Sequence, residues 1–291
     1  MSMRLLLARA SCLPWLRASY RAMLRVPGLG SISGAAVRYA LPFGTKVWAR
    51  IHSGEGKGLW LKVDPRWHKA YLEGSYEPGI QKLLREHLRP GDVFYDVGAH
   101  IGFFSIIAAR LVGRSGRVFA FEAAPENVAA LEQNVRKNAF QQIAIKQVAV
   151  WSKCGRIGFG RPYSGALAGA VIELAQGVSQ ATDDLQFEVP GITLDYFAET
   201  HLAPTLVKID VEGAEGDVLE GATSLFHRHR PALICEVHHR RAATSVHEWL
   251  IHNGYEAEWL TGEPAFPRHL LARSAQTSRI SSANVRVQVT S

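Results

Sequence analysis

The sequence predicts an α/β fold, a doubly wound and mostly parallel sheet with helices on both faces. Two observations carry that expectation. Between residues 92 and 260 short apolar runs alternate with stretches whose apolar residues recur at helical spacing, the text of successive βα units. Several of those runs also end on glycine or acidic residues, at 96–102, 122 and 210–215, where ligands of open α/β sheets are held.

Composition narrows the classes. The chain has 291 residues, 47% of them hydrophobic and 20% charged, enough to bury a sizeable core and unlike a disordered chain. The formal net charge is +7, but the arginine excess lies at the two ends. No basic run with interleaved aromatics occurs in the middle, so nucleic acid is not the expected partner. Cys12, Cys154 and Cys235 are too scattered for a disulfide framework and suit a reducing, cytoplasmic setting; Cys235, inside PALICEV, reads as a buried inert thiol.

From the N-terminus, residues 1–25 carry apolar patches broken by Arg4, Arg9 and Arg17 and followed by Arg21 and Arg25. No apolar span reaches the ~18 residues that crossing a bilayer needs. The stretch reads as a basic amphipathic helix, lying on an anionic membrane or docked on its own domain. PGLGSISG and LPFG make a linker, so residues 1–45 form a first unit. Residues 46–84 form a second, an accessory: KVWARIH and KGLWLKV alternate on either side of SGEG, which predicts a β-hairpin. GIQKLLREHL then predicts a lead-in helix stopped by Arg89, Pro90 and Gly91.

The main domain is expected over 85–291, its core reaching to about 260. VFYDVG, FFSIIAARLV, RVFAFE, ENVAALEQNVRKN and IAIKQVAV spell strand, helix, strand, helix, strand. Residues 151–190 break that rhythm with glycine and serine clusters and read as a loop-rich insertion. LDYFAETH, TLVKIDVEG, a single helix AEGDVLEGATSLF, PALICEV, AATSVHEWLIHNG and YEAEWL resume it. ARSAQTSRISS reads as a mobile loop, and NVRVQVT as a last strand, antiparallel at the sheet.

Four places carry candidate chemistry. Asp96, Gly98, His100 and Gly102 stand where a strand gives way to a helix, Gly98 for a tight turn close to a ligand and Gly102 for close helix packing. Glu122 ends the next strand, where an acid accepts hydrogen bonds from the ribose of a nucleoside. The turn lacks the three-glycine pattern that brings a pyrophosphate close, which disfavours nicotinamide enzymes and favours a cofactor with an amine and a carboxylate. Asp210 and Glu212 end the strand at which the sheet order should reverse, facing cofactor or acceptor; an alternative is that Glu212 or Glu215 caps the following helix. Glu236 and His238 share a face at the end of the fifth strand, where His238 is placed to accept a proton. No third and fourth ligand stand nearby in the sequence, so no metal is expected.

These blocks together resemble the FkbM family of S-adenosylmethionine-dependent methyltransferases. The matching text over about 70–260 is GSYEP, RPGDVFYDVGAHIGFFS, VFAFEAAPENVAALEQN, ITLD, VKIDVEGAEGDVLEGA and PALICEVH, with KIDVEGAE the most distinctive. The resemblance implies a Rossmann-like class I methyltransferase fold and O-methylation of a hydroxyl on a sugar, polyketide or related small-molecule or glycan acceptor. It implies Asp96, Gly98 and Gly102 around the methionine part of S-adenosylmethionine, Glu122 at its ribose, and Asp210 with Glu212 at the reaction centre. His100 departs from the asparagine usual in the family. A nicotinamide-dependent oxidoreductase and a non-catalytic binding module on the same fold are the competing classes.

Overall fold

The computed structural model describes residues 9–13, 44–65, 67–160, 171–173, 185–260 and 265–275. Seven strands form the central sheet: β3 (Val93–Val97), β4 (Arg117–Glu122), β5 (Ile143–Gln147), β10 (Leu206–Ile209), β11 (Ala232–Val237), β12 (Tyr255–Trp259) and β13 (Arg268–Ser274). Their order is β12-β13-β11-β10-β3-β4-β5, parallel from β11 to β5. The chain winds outward from β3 through β4 to β5, then crosses back to β10 beside β3. The order therefore reverses between β3 and β10, as the sequence predicted, and a crevice is set over their carboxyl ends.

Why these runs are apolar throughout is visible in the packing. Phe94, Val118, Ala120, Leu206, Ile234 and Leu271 face one buried cluster, and their strand neighbours Tyr95, Phe119, Phe121, Val207, Leu233 and Leu270 face the other. Each strand is covered on both sides, so period-two alternation disappears. The first cluster is roofed by α2 (Pro78–His87), α3 (Phe103–Val112) and α4 (Pro125–Asn138); the second by α5 (Leu194–Ala198), α6 (Glu215–Glu220), α7 (Thr223–His229) and α8 (Arg240–His252).

The hairpin forms as expected from β1 (Val47–Arg50) and β2 (Trp60–Val63), and a short helix α1 (Lys69–Glu73) follows it. Its apolar face, Val47, Ala49, Leu61 and Val63, joins the cluster that holds Ile106 and Ile107. The outer edge of β2 is hydrogen-bonded by a helix. Asn134 Oδ1 accepts from the Lys62 amide and Asn138 Oδ1 from the Trp60 amide, both at 2.8 Å, while Asn138 Nδ2 donates to the Trp60 carbonyl at 2.7 Å. Two asparagines four apart lie on one helix face and satisfy backbone groups that another strand would otherwise pair.

Three sequence expectations need correction. Residues 151–190 are built of strands where described: β7 (Gly155–Gly160), β8 (Val171–Glu173) and β9 (Leu185–Ile192) join β6 (Ala149–Val150) in a four-stranded sheet. Glycines at 155, 158 and 160 obscured the pattern, yet Phe159 and Phe187 stack with ring centroids 4.9 Å apart. The single helix expected over 214–226 is two, because Asp195 accepts from the Ser224 and Leu225 amides and starts α7 anew. The antiparallel strand is Arg268–Ser274, paired with β11 and β12, so Ala272–Ser274 are strand and not loop. NVRVQVT lies outside the described residues, as does almost all of the basic segment 1–25; of the latter, Cys12 is buried in the first cluster. Among the described residues no helix is long and apolar enough to cross a membrane.

Candidate active site

The crevice is organised by the turn from Gly98 to Gly102. Gly98 has φ +79°, and a Cβ there would collide with the carbonyl oxygen of Asp210. Its amide and that of Ala99 both donate to the Phe121 carbonyl at 3.0 Å. Those amides thus tie β3 to β4 and are not offered to a ligand; the glycine is required by the close approach of β10. Gly102 (φ +84°) starts α3, and its missing side chain makes room for Leu131 of α4 rather than for the strand. His100 lies at φ +51°, a left-handed position that asparagine and histidine tolerate better than most residues, so its departure from the family pattern keeps the backbone form. Burial holds its imidazole below the ordinary value.

Glu122 is 8% exposed and prearranged. One carboxylate oxygen accepts from the His100 amide at 2.8 Å; the other accepts from the Ala124 amide at 2.8 Å and the Asn127 side chain at 3.3 Å. Burial pushes its carboxyl above the ordinary range, against those hydrogen bonds. The long Asn127 contact leaves that lone pair the readiest to be exchanged for a ribose hydroxyl.

Asp96 is fully buried and accepts from the Ser105 hydroxyl. Its other oxygen stands 3.9 Å from the ammonium of Lys208, which lies 3.0 Å from Asp210 and over the ring of Phe104. Burial opposes the charge on Lys208, but the Asp210 and Asp96 carboxylates outweigh it and raise its pKa. Burial likewise opposes ionisation of Asp210, and the Lys208 ammonium outweighs that and lowers it. Burial pushes the Asp96 carboxyl above its ordinary range, against the Lys208 ammonium and the Ser105 hydrogen bond, so Asp96 is a fully buried partner of Lys208.

Beyond Asp210 the crevice wall is ionic. His238 Nδ1 is 2.6 Å from Glu215, which is wholly buried and also accepts from the Gly213 amide at 2.9 Å. Its Nε2 faces Glu212 at 3.3 Å and Asp210 at 3.7 Å. Burial resists the charge on the imidazole, but the carboxylates around it prevail and push it up to about 9. Burial moves Glu212 above its ordinary value. On β11 Glu236, and before α2 Glu77, flank His269 of β13 at 3.6 and 3.3 Å. Tyr71 and Tyr76 stack at 4.0 Å against Phe103, and burial pushes the Tyr71 hydroxyl up to about 12.

The structure therefore brings Asp96, Asp210, Glu212 and His238 into one network, joined to Glu122 through the 98–100 turn. Lys208 and His269 were given no role from the sequence; Glu215, read there as a cap of the following helix, stands in the first turn of α6 and accepts from the Gly213 amide and pairs with His238. A lysine inside the apolar run TLVKIDV was the available signal for Lys208, because a charge there must be paired.

The doubly wound sheet with acidic strand ends at its switch point defines a Rossmann-like α/β domain, the architecture that methyltransferases and nicotinamide enzymes share. A profile of the methyltransferase FkbM domain matches residues 96–257, more than half of the chain, and the protein belongs to that family. It is 34% identical over 122 residues to a protein-L-isoaspartate O-methyltransferase of Caenorhabditis elegans, covering 41% of this chain and 49% of that one. It is 27% identical over 203 residues to the hexuronic acid methyltransferase AglP of Haloferax volcanii, covering 69% and 70%. It is 27% identical over 222 residues to the 31-O-demethyl-FK506 methyltransferase FkbM of Streptomyces tacrolimicus, covering 68% and 80%. The chain thus spans about half the length of the first of these relatives. Family membership displaces the nicotinamide reading.

Proposed function

We propose that the protein methylates a hydroxyl of a sugar, polyketide or related metabolite, with S-adenosylmethionine as donor. One observation carries the reading: the 98–100 turn touches both Glu122, through the His100 amide, and the end of β10, through Gly98 against Asp210. A nucleoside-binding carboxylate and an ionic wall thus meet in one crevice. The names of AglP and FkbM support the acceptor class.

When bound, the sulfonium supplies the methyl group, and positioning contributes most of the rate. Glu122 holds the ribose. Asp210 is anchored by Lys208 as a carboxylate, and the turn beneath it sets the depth of the pocket. His238 is a cation near neutrality and so orients rather than accepts. Glu212, 47% exposed and facing it, is the better proton acceptor for the hydroxyl. The described strands of 151–190 belong to a sheet that begins at β6, next to β4 whose end carries Glu122, and suit acceptor selection. Three free cysteines fit a cytoplasmic site of action.

The test is titration calorimetry with S-adenosylmethionine, S-adenosylhomocysteine and NAD on the wild type and on Glu122→Ala. Losing charge-assisted hydrogen bonds of about 1.5–3 kcal/mol each predicts at least a ~100-fold weaker adenosyl ligand in the variant. Binding of NAD alone would overturn the reading. With an acceptor in hand, Glu212→Gln should lower kcat by ~100-fold; a fall below about threefold removes its role.

A further inference from the structure

We infer that Glu77, Glu236 and His269 form a binding site for one divalent cation of borderline hardness, such as Zn²⁺, with the harder Mn²⁺ serving as a spectroscopic stand-in. The three residues come from the lead-in before α2, the end of β11 and the start of β13, and the β11/β13 register places His269 directly opposite Glu236. Their donor atoms lie within 4.8 Å of one another. Nε2 of His269 is 3.3 Å from Glu77 Oε2 and 3.6 Å from Glu236 Oε2.

Those separations are long for charge-assisted hydrogen bonds, which run at about 2.7–2.9 Å. Metal–ligand bonds of about 2.0–2.2 Å set neighbouring ligand atoms about 3.0–3.5 Å apart, so the first separation falls inside a coordination shell and the second needs a contraction of a few tenths of an ångström. His269 Nε2 and Glu77 Oε2 are both shielded from solvent, and their only close polar contacts are the long ion pairs within this group, none with good hydrogen-bond geometry. Leaving such atoms unsatisfied costs about 1–3 kcal/mol each, and more if charged. One cation satisfies both. The side chains stay 12–17% exposed, so the site can be reached from outside. One imidazole and two carboxylates suit a borderline cation.

A second group, Asp210, Glu236 and His238, has similar spacing. It is the weaker candidate because Asp210 is already hydrogen-bonded by the Lys208 ammonium, a fixed cation that would repel a second one, and His238 Nε2 already faces Glu212. The competing state of the first group is a bare ion triad. There burial opposes the charge on His269, but Glu236 and Glu77 outweigh it and push the imidazole up to about 9.

The cation site does not rest on the methyl-transfer reading, and its test needs no turnover. The EDTA-treated full chain is titrated with MnCl₂ and with ZnCl₂ by calorimetry, and with MnCl₂ by electron paramagnetic resonance. One equivalent should bind, at least ~10-fold more weakly in His269→Ala and in Glu77→Gln, and unchanged in His227→Ala on the exposed face of α7. Thermal melts report whether each variant is folded, and Glu77→Gln, outside the sheet, guards against loss of fold in His269→Ala. The same cation should raise the melting temperature of the wild type and not that of Glu77→Gln. No stoichiometric binding to the wild type, or binding that survives both substitutions, overturns the proposal in favour of the ion triad.

Discussion

The two halves of the sheet hold their strand ends by different means. At β3 and β4 the work is done by main-chain amides: Gly98 and Ala99 on the Phe121 carbonyl, His100 and Ala124 on Glu122. At β10, β11 and β13 it is done by charged side chains, with Lys208 between two carboxylates, His238 among three and His269 between two. A backbone scaffold does not titrate and is set by φ and ψ. A side-chain scaffold depends on every charge having its partner. One half of the crevice is therefore sensitive to shape, the other to charge and pH.

The sharpest way to break the contrast is Lys208→Met, which removes the cation but keeps most of the volume. Asp96 and Asp210 are left with an uncompensated buried charge, a cost of about 3–5 kcal/mol in urea unfolding. Adding Asp96→Asn should restore part of it; a cost below ~1 kcal/mol for Lys208→Met would show that charge does not hold this half. Gly98→Ala comes next. It forces a Cβ into a left-handed position and against the Asp210 carbonyl, a strain of about 1–3 kcal/mol. Because the contact is between backbone atoms, that deficit should change little from pH 6.5 to about 8, below the titration of His238 beside Asp210, and a marked slope there would refute the backbone account.

The third prediction is the pH dependence from His238. Its folded pKa is raised from 6.5 to about 9, so its stabilisation is complete below pH 6.5 and is lost as pH rises through about 9. Melting temperatures of wild type and Glu215→Gln should accordingly converge across that window. A gap that stays constant would mean that Glu215 acts through its hydrogen bond to Gly213 alone.

The same division decides what could be read from the sequence. The βα alternation, the reversal between β3 and β10 and the place of Glu122 all follow from local text, because a strand, its turn and the next helix are contiguous. The roles of the two glycines did not follow, since Gly98 answers to Asp210 and Gly102 to Leu131, neither of them adjacent in the chain. β13 escaped because its apolar core, Leu270 to Ala272, is short and flanked by Arg268 and Arg273. Its His269 then supplies what the local text around His238 lacked, a further imidazole beside Glu236. Ionic clusters assembled from distant segments leave no spacing to find.

The asparagine pair that borders the hairpin also has a consequence for the order of biosynthesis. β2 leaves the ribosome well before Asn134 and Asn138 exist, and at about 5–20 residues per second the interval is several seconds or more. During that time the hairpin has neither its edge partners nor α4 beside it. The hairpin is therefore made well before the helix that locks its edge, and it depends on a segment some distance downstream.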